Sequence, residues 1–175
     1  EQIKFGDYNY NGTKVPAIMA PTFIKDFTPL IEQYTRFKSS PGMVIMKGND
    51  IIQEDRAIYA DSTLFNVFTL EMIAGDKKTA LKEPHSLVVN ESTARKYFNS
   101  VDIIGKTVLV NDSVNYKITG VIKDIPRQSH FKFDLFMPLC ELEESRDNSW
   151  LNANLQTYLV LKPGTDIRQF EKRLN

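Results

Sequence analysis

Residues Thr107 to Ile122, TVLVNDSVNYKITGVI, decide the fold class. Thr107 to Val110 and Val114 to Ile122 have alternating side chains and flank Asn111-Asp112-Ser113, so the spacing predicts a β-hairpin. Upstream, Met43 to Met46 and Ile51 to Ala60 are strand-like runs around Gly48-Asn49-Asp50, residues that tolerate positive φ, and predict another. Ile3 to Val15 is also spaced for strand, with Asn11-Gly12 as its turn signal, and Leu30 to Phe37, Ser86 to Val89 and Leu155 to Leu161 read as further strands. Phe131, Phe133, Leu135, Met137 and Leu139 alternate with Lys132, Asp134, Phe136 and Pro138, which predicts a strand with one fully apolar face.

Helical spacing is local and punctuated. Ile18, Met19, Phe23, Ile24 and Phe27 can share one face, and Pro29 closes that helix by favouring an extended Thr28. Asp61 or Ser62 is expected to cap a short helix carrying Leu64, Phe65 and Phe68, and Gly75-Asp76 ends that aromatic stretch. Asn90 is expected to cap a helix from Glu91 to Phe98, with Glu91 in the electropositive first turn. Asp166 and Gln169 make a capping box for a last helix whose Ile167, Phe170 and Leu174 face one way, with Arg168, Glu171 and Lys172 facing water. Hairpins with a few separated helices predict an α+β fold with mostly antiparallel or mixed sheets, not a doubly wound parallel one.

Composition narrows the function classes. A chain of 175 residues buries roughly 70% of its unfolded surface, enough for one domain or two small lobes. Twenty-two basic residues balance twenty-two acidic ones, which removes the electrostatic footprint of a general nucleic-acid binder or a polybasic membrane-surface protein. Cys140 is the only cysteine, so neither an intramolecular disulfide nor a cysteine-based zinc cage forms, and next to Pro138 and Leu139 it is expected to be a small buried hydrophobe. No apolar stretch approaches the roughly 20 residues that span a bilayer. The chain opens on Glu1 and stops at Asn175 just after a strong helical segment, which reads as two ends cut from something longer.

The residues that invite a chemical reading are few. Gly105-Lys106-Thr107 resembles the end of a phosphate-binding loop, but Ser100 stands where that motif needs glycine, and a strand follows where the motif needs a helix. His85 and His130 are the two histidines, each beside a serine, Ser86 and Ser129; a triad needs partners from elsewhere, and no Gly-x-Ser-x-Gly elbow occurs. His130 is expected to order its own loop through nearby backbone. Asp124 and Asp134, or Glu141, Glu143 and Glu144, offer oxygen ligands without a calcium-loop pattern, so solvated carboxylates are expected. Trp150, Tyr158 and the phenylalanines are expected in the core, not as a stacking platform. No catalytic, cofactor-binding or metal-binding residue is assigned, and the chain is expected not to be an enzyme.

From Tyr59 onward a series of motifs resembles the MacB-like periplasmic core domain of FtsX-like ABC transporter permeases. It runs through YADSTLFNVFTL, Tyr59 to Leu70; AGDKKTALKEPHSLVVNESTARKYF, Ala74 to Phe98; IGKTV, Ile104 to Val108; YKITGVIKDIPRQSHFKFD, Tyr116 to Asp134; and TYLVLKPGTDIRQFEKRL, Thr157 to Leu174. About two-thirds of the chain carries the resemblance strongly, and the first 58 residues only by element order.

The resemblance implies a domain inserted between two transmembrane helices and held in the periplasm at the inner membrane. Mapped by motif, residues 1–60 and 129–175 would form a discontinuous porter-like lobe, and residues 61–128 a smaller inserted α/β lobe projecting away from the membrane. The implied partners are the permease's own transmembrane helices, a separate cytoplasmic ATPase, a second permease copy, and a periplasmic adaptor or outer-membrane channel; nucleic acid and cofactors are not implied. The implied role is to transmit conformational change and contact substrate or partner during export. The alternative is an extracytoplasmic ligand-binding sensor, which a deep, polar-lined pocket of several hundred cubic ångströms would favour. A small hydrolase would require Ser86 or Ser129 within reach of a histidine backed by a carboxylate. An inserted domain should also bring both chain ends to one face, with Ile3 and the last helix in one lobe.

Overall fold

The computed structural model describes the backbone of residues 2–5, 8–11 and 13–174 and the side chains of residues 13–173. In chain order the elements are β1 (Gln2–Phe5), β2 (Tyr8–Asn11), β3 (Val15–Pro16), α1 (Met19–Asp26), β4 (Ile31–Ser39), β5 (Met43–Lys47), β6 (Asp50–Glu54), β7 (Ala57–Ala60), α2 (Leu64–Val67) and β8 (Met72–Gly75). There follow β9 (Ser86–Asn90), α3 (Glu91–Phe98), β10 (Thr107–Val110), β11 (Val114–Ile122), β12 (Leu135–Pro138), β13 (Ala153–Leu161) and α4 (Ile167–Leu174). β1 and β2 pair with each other. The remaining strands form one eleven-stranded sheet in the order β3-β13-β4-β7-β12-β9-β11-β10-β5-β6, with β8 also on β11. β7–β12 and β9–β11 are parallel and the other pairs antiparallel, so the fold is α+β with a mixed sheet.

The two inner hairpins form where their turn residues lie. Val110 faces Val114 across a loop in which Asn111 and Asp112 take φ of 49° and 54°, the left-handed region that short polar side chains tolerate. Lys47 faces Asp50 across a turn with Gly48 at φ 59°. For the first hairpin the expected turn is displaced: Asn11 belongs to β2, opposite Gln2, and Gly12 lies outside the described residues.

Two expected strands are redrawn. The run 51–60 is broken at Asp55-Arg56, so that β6 lies at the sheet edge while β7 lies between β4 and β12. Arg56 leaves the first strand because its carbonyl accepts from the Asp134 and Leu135 amides, 2.8 and 3.2 Å away. The alternating run 131–139 forms strand only over Leu135–Pro138, and all four of those residues are buried. Leu135 and Met137 pack with Ile45, Val89, Ala94 and Tyr97 on the face covered by α3. Phe136 packs with Ile58, Leu64, Phe65 and Leu81 on the face covered by α2. β12 therefore has two apolar faces, because a strand inside a mixed sheet between helical layers meets no water on either side. Burying a residue such as Phe136 contributes about 1.5–3 kcal/mol.

The helices follow their caps with one exception. Asn90 Oδ1 accepts from the Thr93 amide at 2.9 Å and starts α3. Asp166 Oδ1 accepts from the Arg168 and Gln169 amides at 2.9 and 3.2 Å and starts α4. Phe27 follows the last residue of α1, and Thr28 Oγ1 donates to the Ile24 carbonyl at 2.7 Å, closing it before Pro29. At α2 neither Asp61 nor Ser62 caps: the Asp61 carboxylate is held by Arg36, and Thr63, which precedes the helix, makes no capping bond because its hydroxyl donates to the Tyr34 carbonyl at 2.6 Å. On α4, Phe170 is buried against Phe27 with ring centroids 5.5 Å apart, whereas Ile167 is 61% exposed and the Leu174 side chain lies outside the described residues. β3 and β4 flank β13, and α4 follows β13 to pack on the end of α1. The chain thus enters and leaves the sheet in one group of elements; the Ile3 side chain lies outside what is described.

Candidate functional site

The polar residues that the fold withdraws from water gather at three places. Arg36, on β4, is held by Asp61 through Nε at 2.9 Å and Nη2 at 3.0 Å, and its Nη1 donates to the Ala17 and Ser145 carbonyls at 3.0 Å each. One guanidinium thus ties together β4, the start of α1, the end of β7 and the segment before β13. With side chains only 11% and 16% exposed, the pair is a structural clamp that offers no charge to a ligand.

The second place is Glu141. It accepts from the His85 amide at 2.7 Å and from the Tyr116 hydroxyl, with the His85 ring Nδ1 3.9 Å away. Burial, reinforced by Glu141, pushes the Tyr116 hydroxyl far above its ordinary value, and burial also raises Tyr59 beside it. Both remain protonated donors.

The third is a cleft of about 440 Å³ between the first turns of α3 and the 53–56 crossover. Glu54 Oε1 accepts from Lys96 Nζ at 2.8 Å and the Tyr97 hydroxyl at 2.6 Å. Asp134 accepts from Asn90 Nδ2 at 2.7 Å and pairs with Arg56 Nη2 at 2.5 Å. Burial holds the Asp134 carboxyl above its ordinary value while Arg56 pulls it down. Ser92 donates to Asp124 through its amide at 3.0 Å and through its hydroxyl. A cleft of this size is what a ligand sensor would use, yet its buried carboxylates, Glu54 and Asp134, are already matched by cations of the same cleft. The arrangement joins strand ends and presents no unneutralised charge at its floor.

The other candidate residues fall apart spatially. Ser86 Oγ donates to the Glu83 carbonyl at 2.7 Å and Ser129 Oγ accepts from the Phe131 amide at 3.1 Å, so neither serine is bonded to a histidine. His130 Nε2 meets the Tyr158 hydroxyl at 3.3 Å, a partner from β13 and not the neighbouring backbone expected. The Gly105 and Lys106 amides donate to the Ile118 and Ile103 carbonyls, which leaves no anion cradle, and Lys106 Nζ lies 5.0 Å from the Phe98 ring centroid. Glu144 pairs with Lys38 at 2.6 Å.

Two further expectations are corrected. Cys140 is exposed and not buried, because the alternation of β12 ends at Leu139 and a 3-10 turn over Leu139–Glu141 swings the next side chain outward. Partial burial and Glu141 hold its thiol above its ordinary value. Trp150 is 47% exposed and Leu151 81% exposed, in a turn where Asp147 accepts from the Ser149 amide and Asn152 Nδ2, at 2.8 and 2.6 Å. Tyr158 does join the aromatic cluster, stacked on Phe37 at 5.7 Å. The Glu141 and Glu54 sites were missed because their partners lie up to 56 residues away in sequence and share no motif.

Comparison with known proteins supplies what the side chains alone do not. The family model of the MacB-like periplasmic core domain matches residues 4–175. A domain described as part of a permease protein from Porphyromonas gingivalis is similar in structure with TM-score 0.82 and 25% identity, over 97% of this chain and 73% of that one. The periplasmic region of MacB from Actinobacillus actinomycetemcomitans gives TM-score 0.70 at 20% identity, over 99% of this chain and 77% of that one. The extracellular domain of the noncanonic ABC-type transporter YknZ from Gram-positive bacteria gives 0.61 at 13% identity, over 91% and 79%, and shares the fold. A comparison with curated protein sequences gives no match.

Proposed function

The chain belongs to the MacB-like periplasmic core domain family, and from that premise we propose that it transmits conformational change between the membrane part of an ABC transporter permease and the periplasm. The family is a transporter permease domain and not an enzyme class. No described helix is long and apolar enough to cross a membrane.

The observation that carries the reading is the unbroken sheet. β3, β13 and β4, where the chain enters and leaves, are hydrogen-bonded through β7, β12 and β9 to β11, β10, β5 and β6 at the far edge. A force applied near β3 and α4 therefore reaches the far edge through strands held by main-chain hydrogen bonds, with packed clusters on both faces. The division into a lobe of residues 1–60 and 129–175 and an inserted lobe of 61–128 is part of this proposal. In its favour, β9, α3, β10 and β11 are consecutive and neighbouring. The hairpin β5–β6, from the flanking segment, is paired to β10, so the lobes are sewn together rather than hinged. The cytoplasmic ATPase, a second permease copy and a periplasmic adaptor or channel are the proposed partners.

The test uses the intact permease with its ATPase in lipid. Spin labels at the exposed positions Lys77 and Lys162, one pair per permease, report whether the domains of a dimer change separation between nucleotide-free and ATP-trapped states. A shift of several ångströms between domains, with the distance inside each domain constant, is expected; unchanged distances in both states would remove the transmission role.

A further inference from the structure

The two edges of the eleven-stranded sheet are built differently. At one edge β3 has two residues, and one of them, Pro16, has no N–H to offer a newcomer. At the other edge β6 runs five residues in unbroken register with β5, without proline or bulge. Among the described residues β5 is its only strand neighbour.

Lys47 and Asp50 flank a two-residue loop, and such flanking residues exchange their main-chain hydrogen bonds. By the alternation of the ladder, Ile52 and Glu54 also bond towards β5, and the N–H and C=O of Ile51 and Gln53 point outward. Side chains alternate too. Ile52 packs on the core beneath α3, and Glu54 ends on Lys96 and Tyr97. Ile51, on the opposite face, is 69% exposed and stands level with Met46 and Leu109 on the next two strands, both of them only partly buried. An apolar row thus runs inward from an unpaired edge.

The unmatched charge on this edge is acidic: residues 50–55 contain no base, and with Glu54 matched by Lys96 it is Asp50 and Asp55 that remain at the two ends. Two copies of β6 paired antiparallel about Ile52 would bring Asp50 of one copy beside Asp55 of the other at both ends, and neighbouring like charges disfavour such pairing. The edge repels its own copy and suits a strand of opposite charge.

We infer that β6 is a docking edge that takes an extended segment of a partner polypeptide as an added strand, the segment carrying an apolar side chain over Ile51 and basic ones near Asp50 and Asp55. This goes beyond the transmission role and requires neither ATP nor a membrane. Main-chain bonds at residues 51 and 53 supply the pairing, and the acidic ends supply charge selection.

The test uses the 175-residue chain and a capped peptide of alternating lysine and valine, with a peptide of alternating glutamate and valine as control. The lysine peptide is expected to bind one to one, to slow amide exchange at Ile51 and Gln53, and to weaken as salt rises. Gln53→Pro removes an outward N–H without touching the β5 ladder, and Ile51→Lys replaces the exposed apolar contact. Each is expected to weaken binding about tenfold or more, with the melting temperature of Ile51→Lys unchanged, so that a folding defect in the proline variant leaves a second reading. Equal binding of the glutamate peptide, protection at other amides, undiminished binding by Ile51→Lys, absence of binding, or self-association that protects the same amides without peptide would each overturn the inference.

Discussion

Asp134 stands where three segments meet. Its amide donates to the Arg56 carbonyl at 2.8 Å and its carbonyl accepts from the Asn90 amide at 2.9 Å, while its carboxylate takes Asn90 Nδ2 and Arg56. Burial raises this carboxyl, Arg56 lowers it, and Glu54 and Asp124 add to the rise. A carboxyl raised on folding binds its proton more readily in the folded state, so its stabilisation is present below the ordinary carboxylate range and is lost as pH rises through the folded value. Arg56 limits that loss. Arg56→Met is accordingly expected to cost about 1 kcal/mol at pH 7, a modest figure because the Arg56 side chain is 61% exposed. The cost should shrink as pH falls towards 4 and Asp134 takes up its proton. Urea melts of both proteins at the two pH values measure this, and a cost that is equal or larger in acid would count against it. At this scale the Asn90 cap was legible, since its acceptor and donor are 3 residues apart, whereas the Arg36–Asp61 clamp spans 25 and has no local signature.

Among the elements, β8 shows how a strand can be defined by its neighbour. Met72 to Gly75 has an alternating exposure pattern and only four residues, and its pairing with β11 is interrupted where the register shifts between Val121 and Ile122. Gly75 takes φ 93°, and a Cβ there would lie 2.3 Å from the Thr119 carbonyl oxygen. Gly75→Ala combines a disfavoured backbone with a clash against main chain that cannot give way, so a loss of about 3 kcal/mol is expected. Thermal or urea unfolding would read it; a loss below about 0.5 kcal/mol, the usual range of a neutral surface change, would refute the close approach. The Gly-Asp signal at Gly75 was legible as a break, but the strand before it was not, because four residues carry too little periodicity to separate strand from loop.

Across the whole molecule, the proposed lobes join at two places, the β5–β10 pairing and β12, whose Phe136 pairs with Val88 of β9 and whose full length pairs with β7. Both core clusters include residues of β12, Leu135 and Met137 in one and Phe136 in the other. Lobes that share buried side chains on both faces of one sheet should lose structure together. The chain is expected to unfold in urea in a single transition, coincident by far-ultraviolet circular dichroism and by fluorescence of Trp150 and the tyrosines. Two separated transitions would mean that residues 61–128 fold independently and that the sheet is a weaker link than its pairing implies.

The sequence by itself determined the α+β class, the hairpins at Gly48-Asn49 and Asn111 to Ser113, the caps at Asn90 and Asp166, and the family, because each rests on residues close enough along the chain to constrain one another. Tertiary structure alone decided which strands became neighbours. It placed β6 at an edge and β7 in the interior two residues later, turned Cys140 outward, buried Phe136 as well as its alternating partners, and matched Glu54 with Lys96 and Glu141 with Tyr116. The physical reason is that strand order and burial depend on what covers each face of the sheet, and ion pairing on which distant strand ends converge. Neither quantity has a period along the chain.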